Sequence, residues 1–149
     1  MTAPVRMARW HPSAHTNGCK LALGLGCDRD TPITTLARAV AEALAAVDAD
    51  IRQVQAVASI DLKADETGLI ALVALHGWHI RYYSAVELAE VRVPNPSETV
   101  RRHTGTPSVS EAAALLAAGR DRGPLLLEKH KFRDADGRNA TVSIARIEQ

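Results

Sequence analysis

Residues 20–47 read KLALGLGCDRDTPITTLARAVAEALAAV, and this stretch decides the fold. KLALGLG (20–26) is a short apolar run closed by glycines, the pattern of a buried strand. TPITTLARAVAEALAAV follows at once, with Thr31 as a natural N-cap and Pro32 suited to the first helical position. Ile33, Leu36, Ala37, Val40 and Leu44 then recur at helical spacing on one face. The unit is strand, loop, helix.

The same alternation continues along the chain. QAVASID (55–61) reads as a second strand and ETGLIALVALHG (66–77) as a helix closed by Gly77. WHIRYY (78–83) reads as a third strand, and Ser84 and Glu87 have capping-box spacing for a short helix. VRVPNPSE (91–98) cannot prolong that helix, because Pro94 and Pro96 lack backbone donors; a short helix is expected from Ser97 to His103. Ser108 and Glu111 form a second capping pair, opening an Ala/Leu helix within 105–119 that stops at Gly119. GPLLLEKHKF (123–132) and NATVSIARIE (139–148) are strand-like, and Asp136–Gly137 between them signals a hairpin. Strands alternating with helices predict a three-layer α/β/α single domain with a mostly parallel, mixed sheet and a C-terminal β-hairpin. Residues 1–18 show no periodicity and read as a flexible leader; the domain is expected over 19–149.

Composition bounds the function. The 149 residues are 46% hydrophobic, 23% charged and only 3% aromatic, with eighteen basic against seventeen acidic side chains, so no basic stripe or aromatic platform stands ready for a nucleic acid. Cys19 and Cys27 form neither a disulfide framework nor a zinc-ligand pattern, and no cofactor or metal is indicated. The N-terminus lacks the 7–15-residue apolar run of a signal peptide, and no span suits a membrane; the expected location is the cytoplasm.

In an α/β sheet ligands collect beyond the C-terminal strand ends, which nominates loops 26–31, 61–66 and 104–108. GLGCDRDT (24–31) resembles a phosphate loop only weakly: Arg29 occupies a position that needs glycine, and Asp28 and Asp30 would face the phosphates. Cys27 lies before a helix and beside Arg29, a setting that can lower a thiol pKa, although no base is near in sequence and a free cysteine is often simply a small buried apolar residue. In SIDLKADE (59–66), Lys63 can neutralise a ligand acid, and Asp61 or Glu66 could act as a general base if buried; a solvated loop with a helix cap would look the same. VPNPSE (93–98) and GTPSVSE (105–111) offer hydroxyls and helix-start N–H groups, which are also ordinary caps. LLLEKHKF (125–132) alternates so that Glu128 and His130 share one face, and Lys129 and Lys131 the other, as an anion contact or a protected edge.

Taken in order, GLGCDRDT, SIDLKADE, YSAVELAEV, VPNPSE, GTPSVSEAAAL, the lysine-bearing strand and NATVSIAR resemble the CobE family, which is similar to the C-terminal domain of CbiG in cobalamin biosynthesis. The resemblance runs from Lys20 to Arg146 and implies that a precorrin or corrin-type tetrapyrrole, fringed with carboxylates, is the ligand. Carried onto this chain, it implies a substrate-binding set of Gly26, Cys27, Arg29, Asp61, Lys63, Asp65, Glu66, Asn95, Ser97, Gly105, Thr106, Ser108, Lys129 and Lys131. It implies a protein that binds or hands over such an intermediate. Two alternatives follow from the same resemblance. One is an enzyme that hydrolyses a lactone of the intermediate and releases an aldehyde, with Asp61 or Glu66 as base and Lys63 at the oxyanion. The other is a non-catalytic partner of another cobalamin-pathway enzyme. Nothing in the chain matches the N-terminal and middle portions of CbiG.

Overall fold

The computed structural model describes residues 19–91, 109–119 and 125–147. The expected leader, the Ser97–His103 helix and the Ser108 cap lie outside them. Five strands form one sheet in the order β3-β2-β1-β5-β4: β1 (Leu21–Cys27), β2 (Val54–Ile60), β3 (Ile80–Tyr83), β4 (Leu127–Arg133) and β5 (Asn139–Arg146). β1 pairs in parallel with β2, and β2 with β3. β5 runs antiparallel to both β1 and β4, so four strands share one direction and the last strand inserts against it. The sheet is mixed and the hairpin is present, with Gly137 at φ 85° in its turn.

The helices α1 (Ile33–Ala46), α2 (Thr67–His76), α3 (Ala85–Ala89) and α4 (Val109–Ala117) complete three layers. On one face Leu21, Leu23 and Leu25 of β1 meet Leu36, Val40 and Leu44 of α1 and Leu69 and Leu72 of α2. On the other, Ala22, Ala58 and Ala145 meet Leu88 of α3 and the alanines of α4. Alternate residues of β1 thus point to opposite cores, the period-two rule of a strand buried on both faces. Each fully buried leucine contributes about 1.5–3 kcal/mol of transfer free energy. With so few aromatic side chains, the second core is thin, and α4 comes down almost onto the backbone of β1. Gly24 permits this, since a Cβ there would overlap the Ser110 carbonyl and crowd the Ala114 nitrogen. Between the layers Ser110 Oγ and Ser143 Oγ share a buried hydrogen bond of 2.8 Å.

Local signals hold in most places. Ser84 and Glu87 form the reciprocal capping box expected of them, and Gly77 closes α2 at φ 69°. The cap of α1 differs from expectation: Pro32 takes the N-cap position, no side chain caps it, and Thr31 Oγ1 instead donates to the Asp28 carbonyl at 2.7 Å. β4 also departs from simple alternation. Leu127 packs into the α1-side core and His130 Nε2 lies 2.8 Å from Glu42 Oε1 of α1, so residues three apart share a face. A register shift between them absorbs the additional residue, which separates Glu128 from the face of His130.

Candidate functional site

The loops after β1 and β2 close on each other at the C-terminal ends of the parallel strands. Gly68, in the first turn of α2, allows the approach, because a Cβ there would overlap the Thr31 carbonyl. Arg29 then bridges the gap. Its Nη1 and Nη2 donate to Asp65 Oδ1 and Oδ2 at 3.0 and 3.2 Å, and Nη1 also reaches the Leu62 carbonyl at 3.2 Å. The Asp65 carboxyl is held below the usual carboxylate range by these hydrogen bonds and by the guanidinium charge. Beneath lies Glu66, only 3% exposed. Its Oε1 accepts the Asp30 N–H at 3.0 Å, while Oε2 lies 2.8 Å from Arg29 Nη1 as an ion pair, with no donor at hydrogen-bonding geometry.

The hairpin braces the same corner. Asp28 Oδ2 accepts from Asn139 N at 2.7 Å and from Asn139 Nδ2 at 3.1 Å. Asp28 N donates back to the Asn139 carbonyl at 3.0 Å. Arg138 Nε reaches the Arg29 carbonyl at 3.4 Å. Asp134, whose Oδ2 accepts from Thr35 Oγ1 at 2.6 Å, ties the turn to α1.

Of the expected set, Cys27, Arg29, Lys63, Asp65 and Glu66 come together here. Asp61 opens a 3-10 turn (Asp61–Lys63) and is exposed, not buried as a general base there would be. Asn95, Ser97, Gly105, Thr106 and Ser108 lie outside the described residues. Gly26 stands in register with Thr141, and Thr141 with Lys131. Those three residues form one row across the sheet, roughly 10 Å from end to end at the usual strand spacing. Lys129 is half-buried on the same edge strand and Lys131 is exposed.

The charge of the two loops is not what sequence reading suggests. Asp28, Asp30, Asp61, Asp65 and Glu66 face only Arg29 and Lys63. Arg29, expected to greet a ligand acid, is engaged by Asp65 and Glu66. Lys63, Lys129 and Lys131, by contrast, make no ion pair or hydrogen bond through their ammonium groups among the described residues.

Cys27 is partly buried rather than activated. Burial, the largest influence, pushes its thiol up to about 11, with the Lys63 charge opposing and the Glu66 charge adding. The helix that was to activate it begins only at Ile33, and Arg29 turns toward Asp65. With Cys19 replaced by serine, Cys27 is expected to react with iodoacetamide at pH 8 on the order of a hundredfold more slowly than an unperturbed thiol, its rate still rising toward pH 11. An ordinary rate with a plateau near pH 9 would contradict the burial.

Sequence reading missed Asp28, Arg138 and Asn139, because nothing local links a loop to a hairpin so far along the chain. The Asp–Gly dipeptide located the turn but not its docking partner.

Comparison with known proteins identifies the domain. Residues 21–145 match the family described as Cobalamin synthesis G C-terminus. The chain belongs to that family. It is 36% identical over 127 residues to the cobalt-precorrin-5A hydrolase of Priestia megaterium, a match covering 85% of this chain but 32% of that protein. It is 39% identical over 106 residues to protein CobE of a Sinorhizobium species, covering 70% of this chain and 69% of that one. The crystal structure of CobE, a protein from the cobalamin (vitamin B12) biosynthetic pathway, superposes with a TM-score of 0.72 at 31% identity, over 89% of this chain and 94% of the other. This member of the Cobalamin synthesis G C-terminus family therefore spans about a third of the hydrolase and most of CobE. Among its described residues no helix is long and apolar enough to cross a membrane.

Proposed function

We propose that this protein serves cobalamin biosynthesis by binding a precorrin or corrin-type tetrapyrrole at the C-terminal ends of β1 and β2, and by handing it to the next enzyme of the pathway. The observation that carries the proposal is the division of labour among cations. Arg29 is taken up by Asp65 and Glu66, whereas Lys63, Lys129 and Lys131 remain unpaired among the described residues and available to the acetate and propionate groups of such a ligand. The row Lys131–Thr141–Gly26 adds a flat approach to the β1 backbone, since Gly26 presents no side chain.

The test is absorbance titration with a corrinoid bearing free carboxylates. Lys63→Ala and Lys131→Ala are each expected to weaken binding about tenfold, the size of one lost charge-assisted hydrogen bond. Added salt should weaken the wild type more than the double variant. Unchanged affinity in the double variant rejects the site.

A catalytic reading draws support from Glu66, a buried carboxylate with one oxygen lacking a hydrogen bond beside Cys27. It would act as the base in lactone hydrolysis. Mass spectrometry of a lactone-bearing precorrin incubated with excess protein decides this: a gain of one water, or that gain less the mass of a released aldehyde, supports hydrolysis, and an unchanged mass rejects it.

A further inference from the structure

At the opposite end of the sheet, where β2 and β3 begin, an open groove of about 390 Å³ lies between the 3-10 turn Ile51–Gln53 and the end of α2. That volume suits a small ligand. Its working side chains are Ile51, Arg52, Gln55, His76, Trp78 and His79. Arg52 is the one permanently charged side chain among them and none of the lining residues is acidic, while Asp50, which pairs with Arg52, stands just outside the lining.

The wall is preorganised. His76 and Trp78 stack with ring centroids 4.4 Å apart and planes 22° from parallel, giving a flat aromatic surface. Arg52 is exposed and pairs with Asp50, whose Oδ1 and Oδ2 accept from its Nε and Nη2 at 3.0 and 3.1 Å, leaving Nη1 without a partner among the described residues. Asp50 is itself held in a capping box with Gln53, so the guanidinium is anchored to the turn. Gln55, His76 and His79 make no side-chain hydrogen bond or ion pair among the described residues. The carbonyls ending α2, which would repel an anion, are partly satisfied: Gly77 N donates to Ala74 O at 3.3 Å and Trp78 N to Val73 O at 2.9 Å.

We infer that this groove is a second binding site, for a planar ring carrying a carboxylate. The ring lies against the His76–Trp78 wall over Ile51, and the carboxylate meets Nη1 of Arg52, the guanidinium nitrogen that Asp50 leaves without a partner, with Gln55 and His79 as flanking donors. The inference does not depend on the tetrapyrrole site, which occupies the other end of the strands.

The test follows the Trp78 indole N–H by nuclear magnetic resonance in a Trp10→Phe protein, where Trp78 is the only tryptophan. Benzoate is the probe. Cyclohexanecarboxylate supplies the charge without the flat ring, and benzyl alcohol the ring without the charge. Benzoate is expected to give a saturable shift, with each control binding about fivefold more weakly or worse, the scale of one aromatic or one charged contact. Arg52→Met should bring benzoate down to the benzyl alcohol level and leave benzyl alcohol unchanged. Lys63→Ala should alter none of these values, which separates this site from the other. A shift that does not saturate, equal binding of cyclohexanecarboxylate, or full benzoate affinity in Arg52→Met overturns the inference.

Discussion

Gly24→Ala is expected to lower the unfolding midpoint by about 10 °C, following a loss of about 3 kcal/mol in a domain of this size. The added methyl meets the Ser110 carbonyl and the Ala114 amide of α4. Both are backbone atoms, so no rotamer change relieves the overlap and the whole helix must lift. Lifting it opens the alanine-lined core and strains the buried Ser110–Ser143 hydrogen bond. The unfolded chain loses some freedom on the same change, but that gain of about 0.4–1 kcal/mol is too small to offset the clash. Gly26→Ala is the internal control, two residues along on the same face. There the Cβ would meet only Thr141 Cβ, at 3.9 Å, an ordinary contact. Thermal unfolding followed by circular dichroism should separate the two variants clearly. Similar midpoints would mean that α4 does not rest on the backbone of β1.

Glu66→Ala is expected to cost about 1–3 kcal/mol, because it strips the Asp30 N–H of its acceptor and Arg29 of its inner counter-charge. Asp65→Ala removes the outer, exposed partner of the same arginine and should leave the midpoint nearly unchanged. Urea unfolding measures the difference, and amide exchange at Asp30 should accelerate in Glu66→Ala alone. Because Glu66 joins the loops after β1 and β2, the variant should also bind a carboxylated corrinoid more weakly than its stability loss requires. Were Asp65→Ala the more damaging of the two, the buried carboxylate would not be the joint.

Most of the architecture can be read from residues 20–47 and their echoes. A strand buried on both faces, a glycine-bearing turn and a helix with one apolar face leave few options, and element ends differ from expectation by a few residues. What local pattern does not contain is the destination of the hairpin. NATVSIAR is alternating and apolar enough for any position in a sheet; only tertiary packing places it between β1 and β4 rather than beyond an edge. The site divides the same way. SIDLKADE and GLGCDRDT were recognisable as polar loops after strands, yet the contact of Arg29 with Asp65 joins separate units, so its charge appeared free. For Cys27 two readings were open, because a helix start and an arginine nearby in sequence say nothing about burial, which here dominates the thiol. On β4 the alternation assumed for Glu128 and His130 fails at a register shift that no residue there announces.

The central place of β5 bears on how the protein is made. Leu21 leaves the ribosome long before Arg146, its antiparallel partner. Until that late segment emerges, β1 has one unpaired edge, rich in leucine, in a nascent chain whose helices can already form. Such an edge invites pairing with other chains. Synthesis that stalls within the hairpin should therefore yield aggregates rather than a smaller folded domain, and chaperone dependence should end when the last strand clears the exit tunnel.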